Sequence, residues 1–158
     1  MAFGAVSKVF SQYCSDKVAN LTLMDWDADT VKAAQYGNTI TPDSTVSAVL
    51  SSYNGAASQW VTGGEITSST DIPAGGLTLG TKTNVKTGAN VVVSAANTTS
   101  GAAATATVYG CLIYSDTIAS PQAKQGFGYN SYNAAVTVTA GTLTLAWDGT
   151  NGIFKLAA

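Results

Sequence analysis

The chain has 158 residues, 46% of them hydrophobic and only 10% charged, with a formal net charge of −2 and neither histidine nor arginine. This length suits one domain with an ordinary core, and low charge with substantial hydrophobicity excludes intrinsic disorder. Seven scattered lysines make no basic footprint for nucleic acid, no run reaches the roughly 18 apolar residues of a membrane span, and Met1–Phe10 lacks the signature of a signal peptide.

The first segment predicts a helix over residues 1–24. Phe3, Val6, Phe10, Cys14, Val18 and Leu21 recur at three- and four-residue steps, with Ser7, Lys8, Ser11, Gln12 and Asp16 on the other side. The polar run from Met24 to Thr30 ends it, and Val31–Tyr36 is short enough for a strand. Thr41-Pro42-Asp43-Ser44 then opens a second, shorter helix at about 43–52. Asp43 or Ser44 would cap it, with Val46, Val49 and Leu50 facing inward.

From about Gly63 helical periodicity gives way to β-prone runs between Gly, Asn and Ser punctuation. Strands are expected near 76–83, 90–95, 104–114, 126–129, 134–139, 142–147 and 152–156. Val136–Thr139 and Leu143–Trp147 alternate cleanly across Ala140-Gly141, which predicts a hairpin with a two-residue turn. The low-complexity stretch Ser94–Ala106 reads as a loop. The expected fold is therefore mainly β: an antiparallel sandwich or barrel over 25–158, carrying an N-terminal helix and the short inserted helix.

Without histidine there is no His-based triad and no imidazole metal site. Asp25, Asp27 and Asp29 have the spacing of half a calcium loop. The sixth and twelfth positions, which need Gly and Glu, are Thr30 and Tyr36, so the run reads as a polar turn. Glu65 is the single glutamate, and nothing pairs it with a particular aspartate for glycoside hydrolysis. Cys14 and Cys111 lack a histidine to activate them and are expected as two buried free thiols. Gly63-Gly64 and Gly75-Gly76 lack the setting of a phosphate loop. Asn20-Leu21-Thr22 and Asn97-Thr98-Thr99 fit the glycosylation pattern but carry little meaning without a secretion signal. Trp26, Trp60, Tyr53, Tyr129, Tyr132 and Trp147 could line a sugar-binding face, although core or subunit-interface anchoring suits them better. No cofactor is implied.

An ordered series of short signatures carries a resemblance. These are Asp29–Ala34 with Tyr36, Thr41-Pro42-Asp43, Trp60, Pro73–Leu79, Val108–Thr117, and Val138–Trp147 leading to Gly152-Ile153-Phe154. In order and spacing the chain resembles a family of small virion proteins of tailed bacteriophages, labelled variously as capsid decoration, minor capsid or minor tail proteins. The resemblance spans about Asp29 to Phe154 and implies no catalytic residues.

What it implies is a structural role, either decorating the capsid shell or belonging to the tail. The first expectation is a protein on the outer capsid surface, with the major capsid protein as partner and a homo-oligomer, such as a trimer, as the bound form. Particles would assemble in the host cytoplasm. The expected assembly residues are Phe3, Val6, Phe10, Trp26, Trp60, Tyr129 and Tyr132. The alternative is a minor tail or fibre component that binds host carbohydrate.

Overall fold

A computed structural model describes residues 3, 6–19, 21 and 24–157. In chain order the elements are β1 (Lys8–Val9), α1 (Ser11–Val18), β2 (Val31–Tyr36), α2 (Ala48–Ser51), β3 (Leu77–Thr78), β4 (Thr83–Thr87), β5 (Asn90–Ser94), β6 (Thr98–Thr99), β7 (Ala104–Ser115), β8 (Gly126–Gly141), β9 (Thr144–Leu145) and β10 (Phe154–Ala157). The protein is mainly β, with antiparallel sheets and two helices, as in a β-sandwich. A five-stranded sheet runs in the order β1-β8-β7-β2-β3. A three-stranded sheet runs β10-β5-β4, and β6 pairs with β9.

Burial along the strands shows how the layers meet. β2 is buried at five of its six positions, the mark of a central strand covered on both faces. β7 alternates from Ala104 to Val108, with Thr105 and Thr107 exposed, and is then continuously buried from Gly110 to Ser115. Its first half therefore has one wet face and its second half none. One face of the large sheet is covered by an aromatic cluster. The Trp60 ring lies 5.0 Å from Tyr36, 5.8 Å from Tyr129, 5.9 Å from Phe3 and 6.2 Å from Phe10, all tilted or edge-on. The opposite face meets the three-stranded sheet through Phe127 and Phe154, whose rings are 5.0 Å apart and edge-on. A Cβ on Gly128 would lie 2.7 Å from the Phe154 ring and 2.5 Å from the Lys8 carbonyl, so two layers close over a position with no room for a side chain.

The N-terminal segment departs from expectation. Lys8 and Val9 pair with Tyr129 and Gly128, so the chain is extended there and the helix covers only Ser11–Val18. The helix's phase is set elsewhere: Tyr13 packs edge-on against Phe127 at 4.9 Å, and buried Asp16 accepts hydrogen bonds from Gln12 and Gln125. Cys14, Val18 and Leu21, expected on the inner stripe, face solvent. The segment is thus part of the large sheet rather than a separate helical unit. Residues 1, 2, 4, 5, 20, 22 and 23 of the expected helix lie outside the described residues.

The second helix is a single turn whose cap is Ser47, and Val49 is exposed. Asp43 instead closes a local turn, accepting from the Thr45 amide at 2.8 Å and hydroxyl at 2.7 Å. The predicted hairpin across Ala140-Gly141 does not form. β8 continues to Gly141 because Val136, Thr137 and Val138 pair with Val108, Thr107 and Ala106, and Ala140 takes a positive φ of 46° within an irregularity of that ladder. The strands expected at 126–129 and 134–139 are one. The stretch beyond pairs with β6, through Leu145 with Thr98 and Thr144 with Thr99. The expected strand at 76–83 divides into β3 and β4, and the expected loop at 94–106 contains β6 and the start of β7.

Candidate assembly surface

The seven residues expected at an assembly interface separate by burial. Phe3, Phe10, Trp26, Trp60 and Tyr129 are all buried in the core, where a folded protomer cannot present them to a partner. Tyr132 is partly buried, and its hydroxyl donates to Gln35 Oε1 at 2.8 Å. Only Val6 is on the surface, at 56% exposure. Burial also rules the aromatics out as a shared sugar platform. Tyr53 stacks on Tyr114 with ring centroids 4.7 Å apart and planes 9° from parallel, and Trp147 packs against the core.

What the surface offers is aliphatic and hydroxylic. Val18 is 89% exposed on α1, one helical turn from exposed Cys14, and Leu21 is 43% exposed just beyond. This apolar ridge is the stripe that sequence periodicity assigned to the core. Beside it a cleft of about 670 Å³ opens between α1 and the inner side of the three-stranded sheet, lined in part by Tyr13, Lys17, Asp25, Trp26, Asn84 and Val91. Trp26 is held there by a 3.0 Å bond from its indole N–H to the Ser94 carbonyl. A second surface is the threonine face where Thr105 and Thr107 of β7 lie beside Thr137 of β8. The Thr107 and Thr137 hydroxyls are 3.0 Å apart.

The acidic and thiol groups have local explanations. Asp25 Oδ1 accepts from the Asp27 and Ala28 amides, and Asp29 Oδ2 accepts from the Asp25 amide and the Ser115 hydroxyl. The three aspartates therefore fix a turn, and the described residues include no group of His, Cys, Asp or Glu arranged to hold a metal. Glu65 clasps two segments together: Oε2 accepts from the Tyr53 hydroxyl at 2.8 Å and Oε1 from the Gly75 amide at 2.7 Å. Burial raises its pKa, and the two hydrogen bonds only partly oppose this. Both cysteines are free; Cys111 is buried as expected but Cys14 is exposed, because α1 is rotated from the expected phase. Burial pushes the Cys111 thiol up to about 11.

No protein family, curated protein or solved structure matches this chain. Sequence reasoning missed the Glu65 clasp, because Tyr53, Glu65 and Gly75 meet through loops that carry no periodic pattern. It also missed the exposure of Val18, which followed from extending the helix through residues that belong to β1.

Proposed function

We propose that this protein is a structural virion protein that binds the outer surface of a bacteriophage capsid and stabilises contacts between major capsid subunits. The observation that carries the reading is where the aromatic residues are. Trp60, Tyr129, Phe10 and Phe3 serve the core, so the surface left for recognition is broad, charge-poor and made of small aliphatic and hydroxyl side chains. Such a surface suits many modest contacts repeated over a lattice, where avidity supplies the strength that each contact lacks. The resemblance to small bacteriophage virion proteins, carried by the short signatures between Asp29 and Phe154, supports the same reading.

The docking element is the ridge of Cys14, Val18 and Leu21, with Val6 as a further exposed apolar residue. The test is co-sedimentation with mature capsids lacking the protein, with purified tails in parallel. Saturable binding to capsids at a fixed ratio per capsid subunit is expected, weakened at least tenfold by Val18→Asp with the fold intact by circular dichroism. Binding to tails alone, or to neither, would sink the capsid reading.

A second reading, a host-carbohydrate module on a tail or fibre, rests on one feature, the cleft in which Tyr13 and Trp26 adjoin Asn84, Lys17 and Asp25. Saturable shifts of the Trp26 indole resonance on titration with cell-wall oligosaccharides would favour it.

A further inference from the structure

We propose that the outer edge of β8 from Val136 to Val138 is a self-association edge that pairs antiparallel with the same segment of a second copy of this chain. β8 is sixteen residues long, but β1 covers it only at Gly128 and Tyr129. The Ser131 amide is taken up by the Ser7 hydroxyl oxygen. Beyond that point no described strand lies on its outer side. Every second residue of such an edge directs its N–H and C=O outward, a template for another strand.

Edges are ordinarily blunted by charge, proline or brevity, and the other edges here follow that rule. β4 carries Lys86 with Lys82 just before it, β10 carries Lys155, and β1 and β3 are two residues long. β8 differs, since the chain has no charged residue and no proline between Lys124 and Asp148. Its exposed residues Val136, Thr137 and Thr139 are β-branched, the types that pair best across strands.

The sequence selects a second copy as the occupant. A twofold axis through Thr137 sets Thr137 opposite Thr137 and Val136 opposite Val138, joining like with like and opposing no like charges. The same operation on β4 would place the lysines of both copies in one short ladder. An edge without charge has nothing to steer a charged partner, whereas Val-Thr-Val complements itself. Two five-stranded sheets would then become one continuous sheet.

The geometry also limits the strength. Ladder irregularities lie on both sides of the segment, with positive φ at Asn133 and Ala140, so only about three residues per copy pair, far short of a standard interface. The dimer is therefore weak and is populated where copies are concentrated. This inference is independent of the virion reading.

The test is sedimentation equilibrium of the full chain from about 10 μM to about 2 mM, which brackets a weak interface, together with amide hydrogen exchange. Association is expected with protection gained within residues 136–138. Thr137→Lys and Thr137→Glu should each weaken it at least tenfold, and their equimolar mixture should restore it by setting Lys opposite Glu. Val136→Lys, at an exposed position opposite Val138, is the second variant should Thr137 changes disturb the bond to Thr107. A monomer throughout the range, unchanged association of Thr137→Lys, a mixture no stronger than its components, or protection at β4 or α1 in place of β8 would each overturn the proposal.

Discussion

Replacing Tyr53 by phenylalanine deletes one hydroxyl from the Glu65 clasp and leaves the stacked ring against Tyr114 in place. The half-buried Glu65 carboxylate would keep only the Gly75 amide as donor. A hydrogen bond to a charged group contributes about 1.5–3 kcal/mol, so a loss of about 2 kcal/mol is expected at pH 7. For a chain of this size that corresponds to a fall in Tm of about 4–8 °C. The pH dependence separates this cause from lost packing. The Tyr53 bond favours the ionised carboxyl, so the deficit should be full above Glu65's folded pKa and shrink as pH falls through it, reaching about 1 kcal/mol once the pair is neutral. That window lies above 4.5, because burial raises the group in the folded state. For Glu65 alone the sign is opposite: with a raised pKa, its contribution is greatest below 4.5 and declines as pH rises through the folded value. The assay is urea unfolding of both proteins from about pH 4 to 8, read as a change in midpoint at constant m. A deficit under about 0.5 kcal/mol at pH 7, or one that is the same across the range, would refute the clasp.

Gly76→Ala should cost at least about 3 kcal/mol, because the added Cβ would lie 2.1 Å from the Ala33 carbonyl oxygen at a φ of +84°; a midpoint shift under about 1 kcal/mol in urea would show that the β3 edge yields. A thiol reagent should titrate one cysteine per native chain, Cys14, and a second only on unfolding, since Cys111 is fully buried; two native thiols would contradict the packing of β7. Asp116 has a lowered pKa: burial pushes it up, but Lys32 at 2.7 Å and Lys124 at 3.1 Å outweigh this. Its contribution should be present above the ordinary carboxyl range and lost as pH falls through its folded value, so Asp116→Asn should flatten the acid limb of a stability–pH profile. Phe10→Asp should prevent folding, as it would bury an unpaired carboxylate, whereas Val18→Asp should change stability by less than about 0.5 kcal/mol; equal urea midpoints for the two variants would overturn the placement of α1.

The strands most legible in the sequence were those whose residues are fixed by local pattern. Val31–Tyr36, Asn90–Ser94 and Ala104–Ser115 were each visible as β-prone runs between breakers. The errors came where pairing with distant chain overrode a local signal. Phe3, Phe10, Cys14 and Val18 are spaced for a helix, but Lys8 and Val9 are drawn into the large sheet by Tyr129 and Gly128, so Phe3 and Phe10 stay in the core while Cys14 and Val18 turn outward. Ala140-Gly141 has the chemistry of a hairpin turn, but β7 was already a partner for β8 through that point. The aromatics were recognised as anchors but assigned to an interface. Composition cannot distinguish a ring buried within one chain from a ring buried between two. The Glu65 clasp needs three loop residues in register, which only the fold supplies.

The pairing of β1 with β8 also bears on when this chain can fold. Ser7 and Ser131, 124 residues apart, meet at the same edge, and Phe10 reaches its place beside Tyr129 only after the chain through β8 exists. β5 likewise waits for β10 at the far end. With so many contacts between distant segments, the fold forms late and slowly compared with a helical protein of equal length. During synthesis its apolar strands stay unsatisfied until the distant segments that pair with them have been made. A product truncated before β8 would therefore lack the closing strands and expose those surfaces.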